Sequence, residues 1–450
     1  MARCGWAGKG VAVAATVLGL GIVLARIGFL VDERMGYQRE ATQSVQRSLA
    51  GAQTLVGPVL RRVCEETWTE DGGDAERPRG VEQRRVLVLQ ALPDQLAVDG
   101  DARTELRYRG LFKVNGYQAQ LAVQARFASL AALVPSRQHA DSRLSCRPAQ
   151  LWLATSDVRG LREATLQVDG RALAVRPGVG HENGLRGLHA ELAGGFGSAP
   201  EAVPPALDAN LSLTLVGTER LALVPAAAAS TWSLRSDWPH PSFAGRFLPE
   251  ERAVGRTGFD ARWRLSALAS SAGADLLAGK ARCLQSAEPD CVDTMAVDFV
   301  DPVNPYVLSD RAIKYGLLFV VLTFVAVGLA ETLGRGRLRR VHPVQYALVG
   351  LVLCLFFLLL LSLSEHLAFG WAYAAASAAC VPLLGLYAGH AFGRARDGWT
   401  FGGAMALLYA MLYALLQREQ TSLLIGSLGL FAAVAATMWL TRRVDWYALR

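Results

Sequence analysis

One apolar segment, Val11 to Val31, opens this chain, and five more are packed between Ile313 and Leu440, with the polar, strand-patterned residues 32 to 310 held between the two groups. A helix rising about 1.5 Å per residue needs about 20 mostly apolar residues to cross a hydrocarbon layer of about 30 Å. The pattern therefore predicts an α-helical membrane protein anchored at both ends, with spans at 11–31, 313–332, 345–364, 367–391, 399–417 and 421–440. A charged start, an apolar stretch and the small residue Ala25 also fit a cleavable signal. The apolar run resumes after Arg26 and continues to Val31, longer than a typical signal core, so a retained first helix is the expectation.

The basic residues orient these spans. Arg335, Arg337, Arg339 and Arg340 fall in one connection, Arg394 and Arg396 in another, and Arg442, Arg443 and Arg450 follow the last span, whereas the intervening turns offer only Arg418. Arginine-bearing loops face the cytoplasm by the positive-inside rule. With Arg3 and Lys9 ahead of the first span, six crossings put both tails (1–10 and 442–450) in the cytoplasm and residues 32–310 outside. The net charge of +7 does not point to nucleic acid, because residues 32–310 hold 31 Lys/Arg against 34 Asp/Glu. The excess belongs to the membrane part, where it meets anionic headgroups, and no basic stripe marks a nucleic-acid face.

Outside the membrane, Ala41, Val45 and Leu49 recur every four residues, which predicts an amphipathic extension of the first helix over 32–53. After Pro58 the pattern alternates with period two, as in GYQAQLAVQARF at 116–127, LSLTLVG at 211–217 and FDARWRL at 259–265, punctuated by DG and NG turns. Such alternation means a mainly antiparallel sheet with one face buried. Residues 54–310 are expected to form one large β-rich unit or two smaller ones dividing near 135–150, followed by a five-helix membrane domain at 311–441. Of seven cysteines, Cys64, Cys146, Cys283 and Cys291 fall in the external part, and Cys283 and Cys291 bracket a loop short enough for a disulfide in an oxidising space.

No HExxH, paired CxxC, phosphate-binding GxxxxGKS/T or GxSxG is present, and neither a cofactor nor a metal is expected. Three places carry chemistry worth weighing. In SDWPHPSF (236–243), Asp237, Trp238 and His240 alternate with prolines in a rigid turn, which either presents an aromatic ring and an imidazole to a partner or fixes a corner of the sheet. In SLSEH (362–366), Glu365 and His366 close a span; they are a carboxylate beside an imidazole, or an ordinary polar helix end at the interface. In RVHPVQY (340–346), His342 precedes Pro343, as a docking point or as a helix start. Asp310 and Lys314, four residues apart, share a helix face and are placed to pair. The ionisable residues Lys314, Glu331 and Glu365 sit near span ends, which disfavours a mid-membrane ion path.

Taken together these segments resemble the CreD family, described as cell envelope integrity proteins of the bacterial inner membrane. The carriers are LVGP at 55–58, SDWPHPSF, FLP at 247–249, GFDARW at 258–263, SDRAIKYG at 309–316, Thr323 and Phe324, ETL at 331–333, HPVQYALVG at 342–350, LLLLSLSEH at 358–366 and TRRVDWY at 441–447. The resemblance implies an inner-membrane location, a large periplasmic domain, a role in envelope integrity or envelope stress, and expression under a sensor kinase and response regulator. It implies no reaction. One departure follows LVGP, where relatives continue with an apolar strand and this chain has Leu60, Arg61, Arg62 and Val63; burial of that strand on both faces is the property at stake.

The sequence thus predicts a non-enzymatic membrane protein whose periplasmic domain contacts an envelope component or a membrane partner. The contact surface selected is Asp237, Trp238 and His240, with Asp310, Lys314, Glu365 and His366 at the outer membrane surface and His342 on the cytoplasmic side. The rival is an enzyme or transporter acting on an envelope lipid or glycan at the outer leaflet through Glu365 and His366. Alanine at both positions separates the two: lost function with normal abundance indicates chemistry, lost abundance or no change indicates structure.

Overall fold

The structure, a computed structural model, describes residues 5–71, 80–179, 184–192, 203, 205–285, 291–299, 301, 304–333, 341–418 and 422–442. The arginines of 335–340, Arg3, Arg443, Arg450, Cys4 and most of the small-residue loop at 191–205 lie outside these residues. The chain forms two compact units, Met1–Arg39 with Val303–Arg450, and Glu40–Pro302.

Among the described residues there are eight helices: α1 (Gly5–Ser48), α2 (Ala272–Leu277), α3 (Pro305–Lys314), α4 (Gly316–Leu333), α5 (Pro343–Ser364), α6 (Phe369–Phe392), α7 (Ala395–Gln417) and α8 (Ser422–Thr441). Four of them, α1, α5, α6 and α7, are long and apolar enough to cross a membrane. A fifth candidate is α3 with α4, which pass that test together although they meet at a bend of 42°. The apolar part of α8, Gly426–Trp439, is shorter than a full span. The second expected span, 313–332, is therefore a bent pair that starts earlier, at Pro305. The bend is packed: a Cβ on Gly316 would stand 3.0 Å from Leu24 of α1 and 3.2 Å from Phe357 of α5. A side chain there would have to push the Leu24 and Phe357 side chains aside, so glycine lets them pack closest on that point. Leu20, Leu24, Phe319, Phe324, Leu353 and Phe357 form the interior of this unit.

The other unit is a two-sheet sandwich. In spatial order, one sheet runs Pro241–Gly245, Met295–Phe299, Arg220–Leu223, Gln53–Asp71, Ala149–Thr155, Arg186–Leu192 and Arg176–Pro177, with Gly80–Ala91 and Arg143–Cys146 added against Gln53–Asp71. The second runs Glu251–Gly255, Gly258–Ser266, Ala229–Ser236, Gln95–Arg109, Phe112–Phe127, Leu207–Thr218, Leu161–Val168 and Arg171–Leu173. Pairing is mainly antiparallel; Gln53–Asp71 with Arg220–Leu223 and Gln95–Arg109 with Ala229–Ser236 are parallel. No division falls at 135–150, because strands from both sides of that segment share both sheets. Gln95–Arg109 and Phe112–Phe127 pair as a hairpin that turns at Gly110, whose φ of 60° suits a residue without Cβ.

One core lies between the sheets, where Tyr117, Leu121, Val123 and Phe127 alternate inward to meet Leu55, Leu60, Leu151 and Leu153. Trp232 and Trp263, directly opposite each other on paired strands, stack with centroids 4.5 Å apart. The first sheet is covered on its other face as well: Val56, Val59 and Trp152 pack with Ala272 and Leu276 of α2 and with Ala281, Leu284 and Val292 beside the Cys283–Cys291 disulfide. Gln53–Leu60 is consequently buried on both faces. Past Leu60 the strand alternates, and its buried face carries Arg62, Cys64 and Glu66, which answers the departure from the family pattern. Arg62 donates to the Leu133 carbonyl at 3.2 Å. Glu66 accepts from the backbone N–H groups of Gln138 (2.8 Å) and His139 (3.1 Å) and from the Ser142 hydroxyl (2.7 Å). A second disulfide, Cys64–Cys146, joins this strand to its neighbour.

Candidate functional site

The SDWPHPSF turn follows the strand Ala229–Ser236, and its side chains divide sharply. Trp238 is only 8 % exposed and belongs to the inter-sheet core. Its indole N–H donates to the His240 carbonyl at 2.9 Å, and its backbone N–H to the Ser236 hydroxyl at 3.2 Å. Trp238 thus corrects the expected contact surface: a ring held in the core is not presented to a partner. Asp237 accepts from both the backbone N–H (2.8 Å) and the hydroxyl (2.9 Å) of Thr104, pinning the turn to the neighbouring hairpin. His240 alone of the three stays exposed without a structural tie through its ring nitrogens among the described residues, its ring set edge-on to Trp238 at 6.4 Å. Beside the turn is an open groove of about 730 Å³ whose lining includes Asp101, Arg103, Arg235, Asp237, Val254 and Asp260. Its charges pair internally, Arg235 with Asp260 at 3.1 Å and Arg103 with Asp101 at 3.7 Å.

In the helical unit Glu365 does not act with His366. Glu365, the C-cap of α5, lies 3.5 Å from the Arg34 guanidinium of α1 and accepts from the Tyr306 hydroxyl of α3 at 3.3 Å. Nearby, Asn304 donates to Gln38 at 3.0 Å. His366 is exposed, and among the described residues its ring contacts neither Glu365 nor another acid. The structure therefore separates the pair on which an acid–base or metal reading depends. Lys314 and Asp310 form an ion pair at 2.6 Å one turn apart on α3. His342 is the N-cap of α5: its Nδ1 accepts from the Val344 N–H at 3.3 Å, while the Gln345 side chain accepts from the His342 N–H at 2.8 Å. With Pro343 at the first helical position, the HPVQ run is a complete helix start.

Sequence reasoning missed a second cluster built like the first. Lys9 of α1 lies 2.6 Å from Glu331 at the end of α4, Tyr346 of α5 donates to the same carboxylate at 3.4 Å, and the Lys9 ammonium stands 5.6 Å from the Tyr346 ring centre. A cation from α1, a glutamate at a helix end and a tyrosine recur in both clusters. Lys9 and Arg34 are 25 positions apart on one helix (34 − 9), about 38 Å at about 1.5 Å per residue. That spacing sets the two clusters just beyond an apolar layer of about 30 Å. Chemically each is a desolvated carboxylate satisfied by a cation and a phenol, an arrangement suited to holding helices in register. Lys9 and Glu331 were visible as charges near apolar segments, but their pairing across 322 residues leaves no local sequence signal.

A third missed feature ties down the end of α1. Asp157 accepts from the Gly51 N–H at 3.0 Å, and Arg159, paired with Asp157 at 2.6 Å, donates to the Arg47 carbonyl at 2.5 Å. Burial works against the Asp157 charge, yet hydrogen bonds from Arg159 and Gly51 hold its carboxyl below the usual range. Among the described residues no group of three or more His, Cys, Asp or Glu gathers as metal ligands would.

The family model described as Inner membrane protein CreD matches residues 6–447. The chain belongs to the CreD family. The Inner membrane protein CreD of Escherichia coli (strain K12) is 34 % identical over 433 residues, covering 96 % of this chain and 92 % of that protein. The match spans both units, so the apolar helices and the sheet unit belong together in CreD proteins, and CreD membership makes this an inner membrane protein. Among solved structures, a mutant M1 zinc metallopeptidase of Deinococcus radiodurans aligns over 38 % of each chain at 12 % identity and a TM-score of 0.21, too low to carry an argument.

Proposed function

We propose that this CreD-family protein is a multi-pass, non-enzymatic membrane protein whose sheet unit lies in the periplasm and supports envelope integrity by contacting an envelope component or a membrane partner. The observation that carries this reading is the distribution of disulfides. Both, Cys64–Cys146 and Cys283–Cys291, lie in the sheet unit, whereas Cys354 and Cys380 of the helical unit are buried free thiols. Disulfides persist in oxidising compartments such as the periplasm. The arginine-bearing connection at 394–396 and Arg442 support cytoplasmic placement of those ends, a reading that makes α8 cross despite its short apolar part and gives six crossings with both tails inside. The two cation–glutamate–tyrosine clusters support an anchoring role for the helices, since each carboxylate is engaged in holding helix ends.

Thiol alkylation in intact cells followed by gel-shift analysis tests the compartment: four protected cysteines in the sheet unit are expected, and reduced Cys64 and Cys146 would refute a periplasmic sheet unit. A strain lacking the protein is expected to become sensitive to detergent and to large antibiotics excluded by an intact envelope. Restoration by the intact protein, but not by a chain with the four sheet-unit cysteines changed to serine, supports the envelope role; unaltered sensitivity on deletion sinks it.

A further inference from the structure

The helices α6 and α7 cross at a point of direct backbone contact. A Cβ on Gly398 would lie 2.5 Å from both the Gly385 carbonyl oxygen and the Gly389 Cα, so this crossing requires glycine. The small residues that bring the helices together there leave a groove along one side of the pair. One stretch, about 750 Å³, runs from Pro382 and Ala406 past Leu386 and Gly403 to His390 and Arg394. A further stretch of about 860 Å³ shares Val381, Pro382 and Ala406 with it and continues toward Trp371 and Tyr413.

The ends of this groove differ. At one end Arg394 is exposed and makes no ion pair among the described residues, Arg396 two positions on is likewise exposed and unpaired, and Trp399 lines the mouth. His390 sits beside them, its Nδ1 3.1 Å from the Leu386 carbonyl. Asp397 is the acid in this first turn of α7, so the arginines leave a net positive charge. The rest of the lining is glycine, alanine and aliphatic carbon. An apolar groove with a cationic mouth matches the division of a phospholipid into acyl chain and anionic head.

We propose that this groove is a binding site for a phospholipid with an anionic headgroup, its phosphate at Arg394 and its acyl chain along Leu386, Gly403 and Pro382. A second copy of the chain fits less well, because a symmetric pairing on this face brings the Arg394 and Arg396 of two protomers together. The inference rests on α6 and α7 crossing a bilayer and is independent of which side faces the cytoplasm.

Native mass spectrometry of the full-length protein, released from nanodiscs containing equal phosphatidylglycerol and phosphatidylcholine, tests it. The wild type is expected to retain phosphatidylglycerol at least about fivefold over phosphatidylcholine, a difference of about 1 kcal/mol in affinity. Arg394→Gln should bring that ratio near one while total bound lipid stays the same. Gly403→Leu, whose added Cβ meets nothing within 4 Å, should lower retention of both lipids with the melting temperature unchanged. An Arg394→Gln protein that keeps the full preference overturns the proposal, as does a dimer that Gly403→Leu dissociates with lipid retention unaltered. Release of the protein from membranes by alkaline carbonate would instead remove the underlying bilayer assignment.

Discussion

Trp238 and His240 sit two residues apart in one motif and do opposite things. Emptying the Trp238 site opens a hole in the inter-sheet core, and Trp238→Ala is expected to destabilise the sheet unit by about 3–5 kcal/mol, whereas His240→Ala should stay within about 0.5 kcal/mol. Urea unfolding followed by far-UV dichroism checks both. The motif was legible as a rigid aromatic turn, but which ring faces inward depends on where the hairpin carrying Thr104 lies, and no residue near Trp238 encodes that. Glu66 illustrates the same limit. A glutamate in the run CEET reads as an exposed strand position, yet a distant segment closes over it. The Ser142 hydroxyl bond, aided by the His139 and Gln138 N–H groups against the cost of burial, lowers its carboxyl pKa. A carboxylate lowered in the folded state gives stability that is complete above its unfolded value and lost as the pH falls through the folded one. The segment 133–142 should therefore be cleaved faster by pepsin as the pH drops below about 4, the ordinary carboxylate range. In Glu66→Gln, faster cleavage should already be present at the upper end of the pepsin range and change less with pH.

At the scale of elements, the crossing of α6 and α7 and the paired clusters on α1 make separable predictions. Gly398→Ala places a methyl against backbone atoms that have no rotamer to change, and is expected to cost about 1–3 kcal/mol; Gly403→Ala, facing open space, should be close to neutral. Unfolding in mixed micelles distinguishes them. A double-mutant cycle of Arg34→Met and Glu365→Gln should return a coupling of about 1 kcal/mol, and the Lys9 and Glu331 cycle a similar value, because each carboxylate is largely buried against its partner. A coupling of zero at both would reduce these clusters to incidental contacts. Helix positions were readable from hydropathy because the bilayer imposes length on any crossing segment. Helix partners were not: Gly385, Gly389, Gly398 and Gly402 stand out in sequence, but the register that brings Gly398 onto Gly389 is set by the two-residue connection Gly393–Arg394 and by packing. The bend after Lys314 was hidden for a related reason, since Lys314 and Gly316 also read as the ordinary polar start of a span, and nothing local shows that a further helix, from Pro305, precedes it at an angle.

For the molecule as a whole, the partition into apolar ends and a strand-rich middle was plain in the sequence, and so was the family resemblance. The sheet order was not, because alternation reports a buried face without saying which strand lies alongside. The Cys64–Cys146 bond follows from that order: the two residues face each other only because Arg143–Cys146 returns to pair with Gln53–Asp71. Closing a loop across 82 residues, it is expected to contribute about 2–5 kcal/mol, which reductant should remove from the urea unfolding of the purified protein. The strand Gln53–Asp71 also touches Arg220–Leu223, which in turn pairs with Met295–Phe299. The earliest strand to be synthesised thus belongs to a sheet completed by the latest one. Such wiring makes the domain slow to mature: although the direct neighbours of Gln53–Asp71 are made earlier, its sheet lacks the Met295–Phe299 strand until residue 299 has left the ribosome. During that interval the nascent chain is a natural client for holding chaperones, and truncations anywhere before that last strand are expected to yield aggregates or degradation products in place of a smaller folded domain.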